Sequence, residues 1–178
     1  LKQEIQTRTG SIRVYDDVFT RFYREQVYDF VKKSLFQIGN ADGGIPEYQR
    51  NYFLQSAYSP ADVEKVGILS ALYNTEIADQ INGRQLVRTL VNLSTPSDTY
   101  FAHIHPEEVV VLYYANLEWQ ESWHGETMFF NDAQDEVVYS SIYKPGRIIV
   151  FNGRIPHSVR PPSASAPMYR FTVAMNFA

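Results

Sequence analysis

From Leu86 onward the chain divides into short runs of strand length separated by turn chemistry, and this succession limits the possible folds more than any other feature. The runs are Leu86 to Leu93, Tyr100 to Ile104, Val109 to Asn116, Met128 to Phe130, Val137 to Tyr143, Arg147 to Phe151 and Tyr169 to Phe177. Between them stand Pro96-Ser97-Asp98, His105-Pro106-Glu107-Glu108, Lys144-Pro145-Gly146 and Pro161-Pro162-Ser163. Such clusters favour turn dihedrals or remove a backbone donor, so a strand ends at each of them. Many short strands in succession predict a sandwich or a barrel, here a jelly-roll-like double sheet.

The first half carries a different period. Val18, Phe19, Phe22, Tyr23, Val27, Phe30 and Val31 recur at the i, i+3, i+4 spacing of one helix face, with Asp16 or Asp17 as N-cap. A second helix begins at Ser59-Pro60-Ala61-Asp62, with Ser as N-cap and Pro at the first helical position, and turns Val63, Val66, Leu69, Leu72 and Tyr73 inward. Between the two, Gly39 to Pro46 reads as a loop, and the stretch Gly39 to Gln55 as a mobile flank of any site nearby. The expectation is an α+β, mainly β chain of one domain, 1–178, with a mainly helical flank over 1–85 and a jelly-roll core over 86–178.

Composition excludes some partners. The chain has 16 basic and 20 acidic residues, a net charge of -4 and no basic block, so the footprint of a nucleic-acid binder is missing. It contains no cysteine, which rules out disulfides and thiolate sites and fits a reducing, cytoplasmic setting. Any metal must therefore be held by nitrogen and oxygen. No apolar stretch reaches the ~20 residues needed to span a bilayer, and Leu1-Lys2-Gln3-Glu4 is no signal-peptide opening, so no membrane partner is expected.

All four histidines, at 103, 105, 124 and 157, fall in the β-rich part. Residues two apart on a strand face the same way, so His103 and His105 can direct both imidazoles at one point. His157 follows the run Arg147 to Phe151 and is flanked by Gly153-Arg154-Ile155-Pro156 and Ser158-Val159-Arg160. A redox-active divalent metal can be held between these two clusters.

Taken in order, Tyr100-Phe101-Ala102-His103, Tyr113-Tyr114-Ala115-Asn116, Trp119, His124-Gly125-Glu126-Thr127, Pro145-Gly146-Arg147, His157-Ser158-Val159-Arg160-Pro161 and Arg170-Phe171-Thr172 resemble the Fe(II)- and 2-oxoglutarate-dependent oxygenases. The similarity is to their prolyl-4-hydroxylase-like branch, with its small bacterial and viral members, and it covers Tyr100 to Phe177. It implies a double-stranded β-helix core, Fe(II) and the co-substrate 2-oxoglutarate, with room for ascorbate as an accessory. It also implies dioxygen as reactant and hydroxylation of an unactivated C–H bond, either in a prolyl residue of a peptide or protein or in a small molecule. By the same resemblance Arg170 anchors the distal carboxylate of 2-oxoglutarate, Tyr114 hydrogen-bonds it and Thr172 adds a hydroxyl.

One departure stands out. Where that family has an acid two residues after its first histidine, this chain has His105. Two ligand sets follow: His103, His105 and His157, or His105, Glu107 and His157, the second being the usual two-His-one-carboxylate face. The first is preferred because the second leaves almost no residues for the turn before Val109. His124 reads as a turn residue or substrate-side donor, Trp119 and Trp123 as packing or rim residues, and Arg160 as a solvated loop residue. Two other classes stay open: a cupin-like metal protein that acts without 2-oxoglutarate, and a catalytically silent jelly-roll interaction module.

Overall fold

The computed structural model describes residues 1–41 and 52–178. Its organising element is the last strand, β11 (Arg170–Phe177), whose alternating residues serve two different layers. Phe171, Val173, Met175 and Phe177 point into a core shared with the helices, while Arg170, Thr172, Ala174 and Asn176 face a cavity on the other side. The pleat requires this division, since successive side chains of a strand leave opposite faces of the sheet.

Around that strand the described residues build two antiparallel sheets. The other strands are β1 (Gln3–Gln6), β2 (Ser11–Tyr15), β3 (Gln37–Ala41), β4 (Tyr52–Tyr58), β5 (Leu86–Ser94), β6 (Val109–Tyr114), β7 (Thr127–Phe130), β8 (Val137–Ser141), β9 (Ile148–Phe151) and β10 (His157–Val159). The larger sheet runs β1-β2-β9-β6-β11-β5-β4-β3 and the smaller β10-β7-β8. Four helices, α1 (Arg21–Lys32), α2 (Pro60–Val66), α3 (Ile68–Tyr73) and α4 (Ala78–Ile81), cover one face of the larger sheet through Val27, Val31, Val63, Leu72 and Ile81. Against the other face, Phe129, Tyr143 and Ile155 pack with Val110, Leu112, Tyr114, Ile149 and Phe151 into a second, smaller core. A mainly β jelly roll with helices on its outside is the expected architecture.

The first half departs from its expected helical character. It contributes four strands, β1 to β4, which extend the larger sheet at both edges. Gly39 to Ala41, expected in a loop, belong to β3, and Tyr52 to Gln55, expected in the mobile flank, belong to β4. The remainder of that loop and flank lies outside the described residues. Thr20, not Asp16 or Asp17, caps α1, its side chain accepting from the Tyr23 amide at 3.3 Å. Asp16 is engaged elsewhere, accepting from Arg147 Nε at 2.8 Å and Lys144 Nζ at 3.1 Å, and Asp17 has φ 57°. Phe22 stands on the outer side of α1, 71% exposed.

Ser59 and Pro60 start α2 as expected, but the single helix predicted there is two. Gly67, at φ +76°, adopts the left-handed conformation that closes α2, and α3 begins directly after it. Tyr73, expected to point inward, is 41% exposed. The predicted strand Tyr100 to Ile104 is reduced to one bridge between His103 and His157. No helix among the described residues is long and apolar enough to cross a membrane.

Candidate metal centre and its cavity

Backbone pairing brings two of the histidines together. His103 N–H donates to the His157 carbonyl and His157 N–H to the His103 carbonyl, each at 3.0 Å, so the residues oppose each other directly and their side chains leave on one face. His105 is fixed from the same side, its N–H donating to the Gly153 carbonyl at 2.8 Å. That approach needs glycine: a Cβ at Gly153 would stand 2.3 Å from the Glu107 carbonyl and 3.1 Å from His105 Cβ. The ring centroids of His103 and His157 are 4.5 Å apart, and each lies 5.0 Å from that of His105. One ligand nitrogen from each ring falls within 4.8 Å of the others. Among the described residues no other group of this kind forms.

Tautomers follow from the partners. Nδ1 of His157 faces the Ile155 carbonyl at 2.9 Å and Nδ1 of His103 faces the Phe101 carbonyl at 3.1 Å. A carbonyl only accepts, so each Nδ1 carries a proton, and a neutral ring so protonated has its lone pair on Nε2. Burial, followed by the neighbouring His103 and His105, keeps His157 well below the usual histidine range and therefore neutral. Burial, with His103 and Arg88 nearby, pushes His105 down to about 3. Imidazoles that converge from one side suit a divalent transition metal.

His105 has a different partner. Its Nδ1 lies 3.1 Å from Arg88 Nη2. Arg88 is itself held by Glu107, whose Oε1 is 3.3 Å from Nε. Asn176 also holds it: with its amide oxygen turned inward, that oxygen accepts from Arg88 Nε at 2.7 Å and from Nη2 at 3.2 Å. The alternative ligand Glu107 is thus drawn to a cation on β5, while the converging nitrogens belong to His103, His105 and His157.

The histidines line a cavity between the sheets that also takes in Arg170, Thr172, Tyr100, Thr127, Asn92 and Ser94. Arg170 is only 1% exposed. Its Nε donates to the Gly125 carbonyl at 2.8 Å and Nη2 to Thr127 Oγ1 at 3.3 Å, and its guanidinium carbon stands 5.1 Å from the Tyr143 ring and 5.4 Å from that of Tyr114. Among the described residues it has no carboxylate partner. Gly125, at φ +91°, makes room for it, because a Cβ there would meet Arg170 Cδ at 3.1 Å. A buried cation lacking a counter-ion is costly, and an anion entering the cavity would relieve that cost.

The other expected site residues separate. Thr172 lines the cavity, paired across β11 with Asn92 on one side and Tyr114 on the other. Tyr114 does not line it; its fully buried hydroxyl donates to Thr127 Oγ1 at 2.8 Å, so it acts on the cavity through Thr127. Trp119 donates to the His124 carbonyl at 2.7 Å and packs on Tyr143, a structural part. His124 has φ 59° and its Nε2 is 3.3 Å from Arg160 Nη2, away from the three histidines.

Sequence reasoning passed over Asn92, Ser94 and Arg88, and placed Tyr100 and Thr127 in motifs without giving either a role. Tyr100 stacks on Phe53, with centroids 4.4 Å apart, and donates to Asp98 Oδ2 at 2.9 Å. Burial pushes its hydroxyl up, so it stays protonated. A signal for the β5 residues existed: Arg88, Asn92 and Ser94 share one parity, while the other carries Val87, Val91 and Leu93 beside Thr89, which marks the first as the more polar face.

No protein-family model matches the sequence, and no curated protein sequence matches it. Solved structures do match. A Pseudomonas putida prolyl-4-hydroxylase superposes with a TM-score of 0.62 at 13% identity, over 93% of this chain and 91% of that one. A Trichoplax adhaerens prolyl hydroxylase, in complex with a hypoxia inducible factor oxygen degradation domain peptide fragment, gives 0.62 at 16% identity over 93% and 82%. HygX from Streptomyces hygroscopicus, with nickel and 2-oxoglutarate bound, gives 0.67 at 13% identity over 94% and 82%. At such identities the likeness is one of architecture, and the chain has the jelly-roll fold of the prolyl-4-hydroxylases and 2-oxoglutarate/Fe(II) oxygenases.

Proposed function

We propose that this protein is an Fe(II)- and 2-oxoglutarate-dependent dioxygenase that hydroxylates an unactivated C–H bond. The observation that carries the reading is a buried Arg170 that has no carboxylate partner among the described residues and lies in the same cavity as three converging histidines. A cupin-like protein with no anionic co-substrate has no use for that cation.

In this reading His103, His105 and His157 hold the metal on one face, and iron bound there with 2-oxoglutarate supplies oxidation of a C–H bond, with succinate and carbon dioxide as co-products. The chain's own contribution is placement. Arg170 receives the distal carboxylate with the planar donor set that a carboxylate matches, and Thr127 and Thr172 offer hydroxyls beside it. Tyr114 and Tyr143 wall off the guanidinium from water, which strengthens its pull on an anion. The target C–H belongs to a prolyl residue of a peptide or protein, or to a small molecule; relatives in fold include an enzyme with a bound peptide and another with bound hygromycin B.

Calorimetric titration with Mn(II) as an oxygen-inert substitute, followed by 2-oxoglutarate, tests this directly. Binding of both supports the dioxygenase, metal alone supports the cupin-like reading, and neither supports a silent jelly-roll module. Succinate formation that requires Fe(II) and is lost in Arg170→Ala completes the test, while unchanged turnover in that variant refutes the anchor.

A further inference from the structure

The three histidines are not equivalent. A backbone carbonyl faces Nδ1 of His103 and of His157, and an arginine faces Nδ1 of His105. Guanidinium has five N–H donors and no acceptor, so the 3.1 Å contact from Arg88 Nη2 requires a lone pair on His105 Nδ1. The remaining proton of a neutral ring is then on Nε2, whereas in the other two rings it is Nδ1 that faces an acceptor and carries a proton.

We propose that Arg88 is a positioning residue that holds His105 in the tautomer opposite to that of His103 and His157, making His105 the last-bound and most easily displaced member of the metal face. The proposal rests on the metal-binding reading above and deepens it. For Nε2 of His105 to take a metal, its proton must leave and one must return at Nδ1, with no net change in protonation, and Arg88 Nη2 must withdraw. An acceptor waits for it. Glu107 Oε2 is buried with no hydrogen-bond partner, on the same carboxylate whose Oε1 already faces Arg88 Nε. Asn176 keeps hold of Nε at 2.7 Å throughout, so the guanidinium can turn without leaving its place. The feature belongs to this chain's own departure, a histidine standing where an acid is expected.

Nitrogen-15 NMR of the metal-free wild-type protein reads the tautomers without any variant. The expected pattern is Nδ1–H on His103 and His157 and Nε2–H on His105; Nδ1–H on His105 overturns the proposal. Mn(II) titrations then measure the consequence. Loss of a partner that supports a metal ligand typically costs about 10- to 100-fold in affinity; Arg88 is the opposite case, a partner that favours the tautomer the metal cannot use. His103→Ala and His157→Ala are expected to lose ~100-fold or more, and His105→Ala about 10-fold or less. Arg88→Met is expected to tighten Mn(II) about 10-fold in the wild-type background and not at all in His105→Ala. Equal losses at all three histidines, or tightening that persists without His105, refutes the positioning role. A wild-type protein that binds no Mn(II) defeats the dioxygenase reading, and the NMR pattern still decides the role of Arg88.

Discussion

The two faces of the larger sheet are made from the same strands and do opposite work. On the helix side, Val91, Val111, Val173, Met175 and Phe177 are at most 1% exposed and belong to the hydrophobic core shared with the helices. On the cavity side, one residue along in β5 and β11, stand Asn92, Arg170, Thr172 and Asn176, equally buried in part but polar. Burial on the first face is favourable by itself, at roughly 25 cal/mol per Å² of apolar surface. Burial on the second is tolerated because a close-packed layer behind it holds the strands in place. A protein can thus keep a guanidinium without a counter-ion in its interior by backing it with a helix-covered core.

Four substitutions try this division, from the largest effect to the smallest. Phe177→Ala removes a fully buried ring from the helix face and is expected to cost about 3–5 kcal/mol in denaturant unfolding. Mn(II) affinity of the folded fraction should hold; a parallel loss would mean that the faces are not separate. Arg170→Ala is the mirror case. It should weaken 2-oxoglutarate by ~100-fold, or about 3 kcal/mol, in calorimetry on the Mn(II)-loaded protein, with unfolding stability within about 1 kcal/mol of wild type. Gly153→Ala forces a Cβ to 2.3 Å from the Glu107 carbonyl, so the segment bearing His105 must move. A tenfold or so loss of Mn(II) affinity and ~1–3 kcal/mol of stability are expected together, the one case in which both faces respond. Thr172→Val keeps the shape and deletes one hydroxyl; 2-oxoglutarate should weaken by a factor of about 5, near 1 kcal/mol, and a null result would remove Thr172 from the cavity's function.

Alternation made much of this legible before any coordinates. The runs at 86, 109, 147 and 169 each became a strand, and the parity of Arg170 and Thr172 put both on one face. Less of the first half could be read. β1 is Gln-Glu-Ile-Gln, short and largely exposed, and it forms only because β2 supplies a partner that in turn pairs with β9. Propensity over four such residues carries little information, and tertiary pairing decided the outcome. Parity cannot separate Glu107 from His103, since both share that of His105, and the preference for His103 rests on the few residues left for the turn before Val109. Arg88, which lies on a different strand, draws the Glu107 carboxylate to itself.

The reciprocal backbone bonds between His103 and His157 join a segment that precedes β6 to a strand of the smaller sheet. A cation bridging those two side chains would act as a clasp between regions distant along the chain, formed only when the fold is complete. Such a clasp is absent from the unfolded chain, so occupancy adds to resistance against unfolding by mass action, about 2.7 kcal/mol at a hundred times the dissociation constant. Heating scans with and without Mn(II) would then report the state of the centre as a shift in melting temperature, with no substrate in hand.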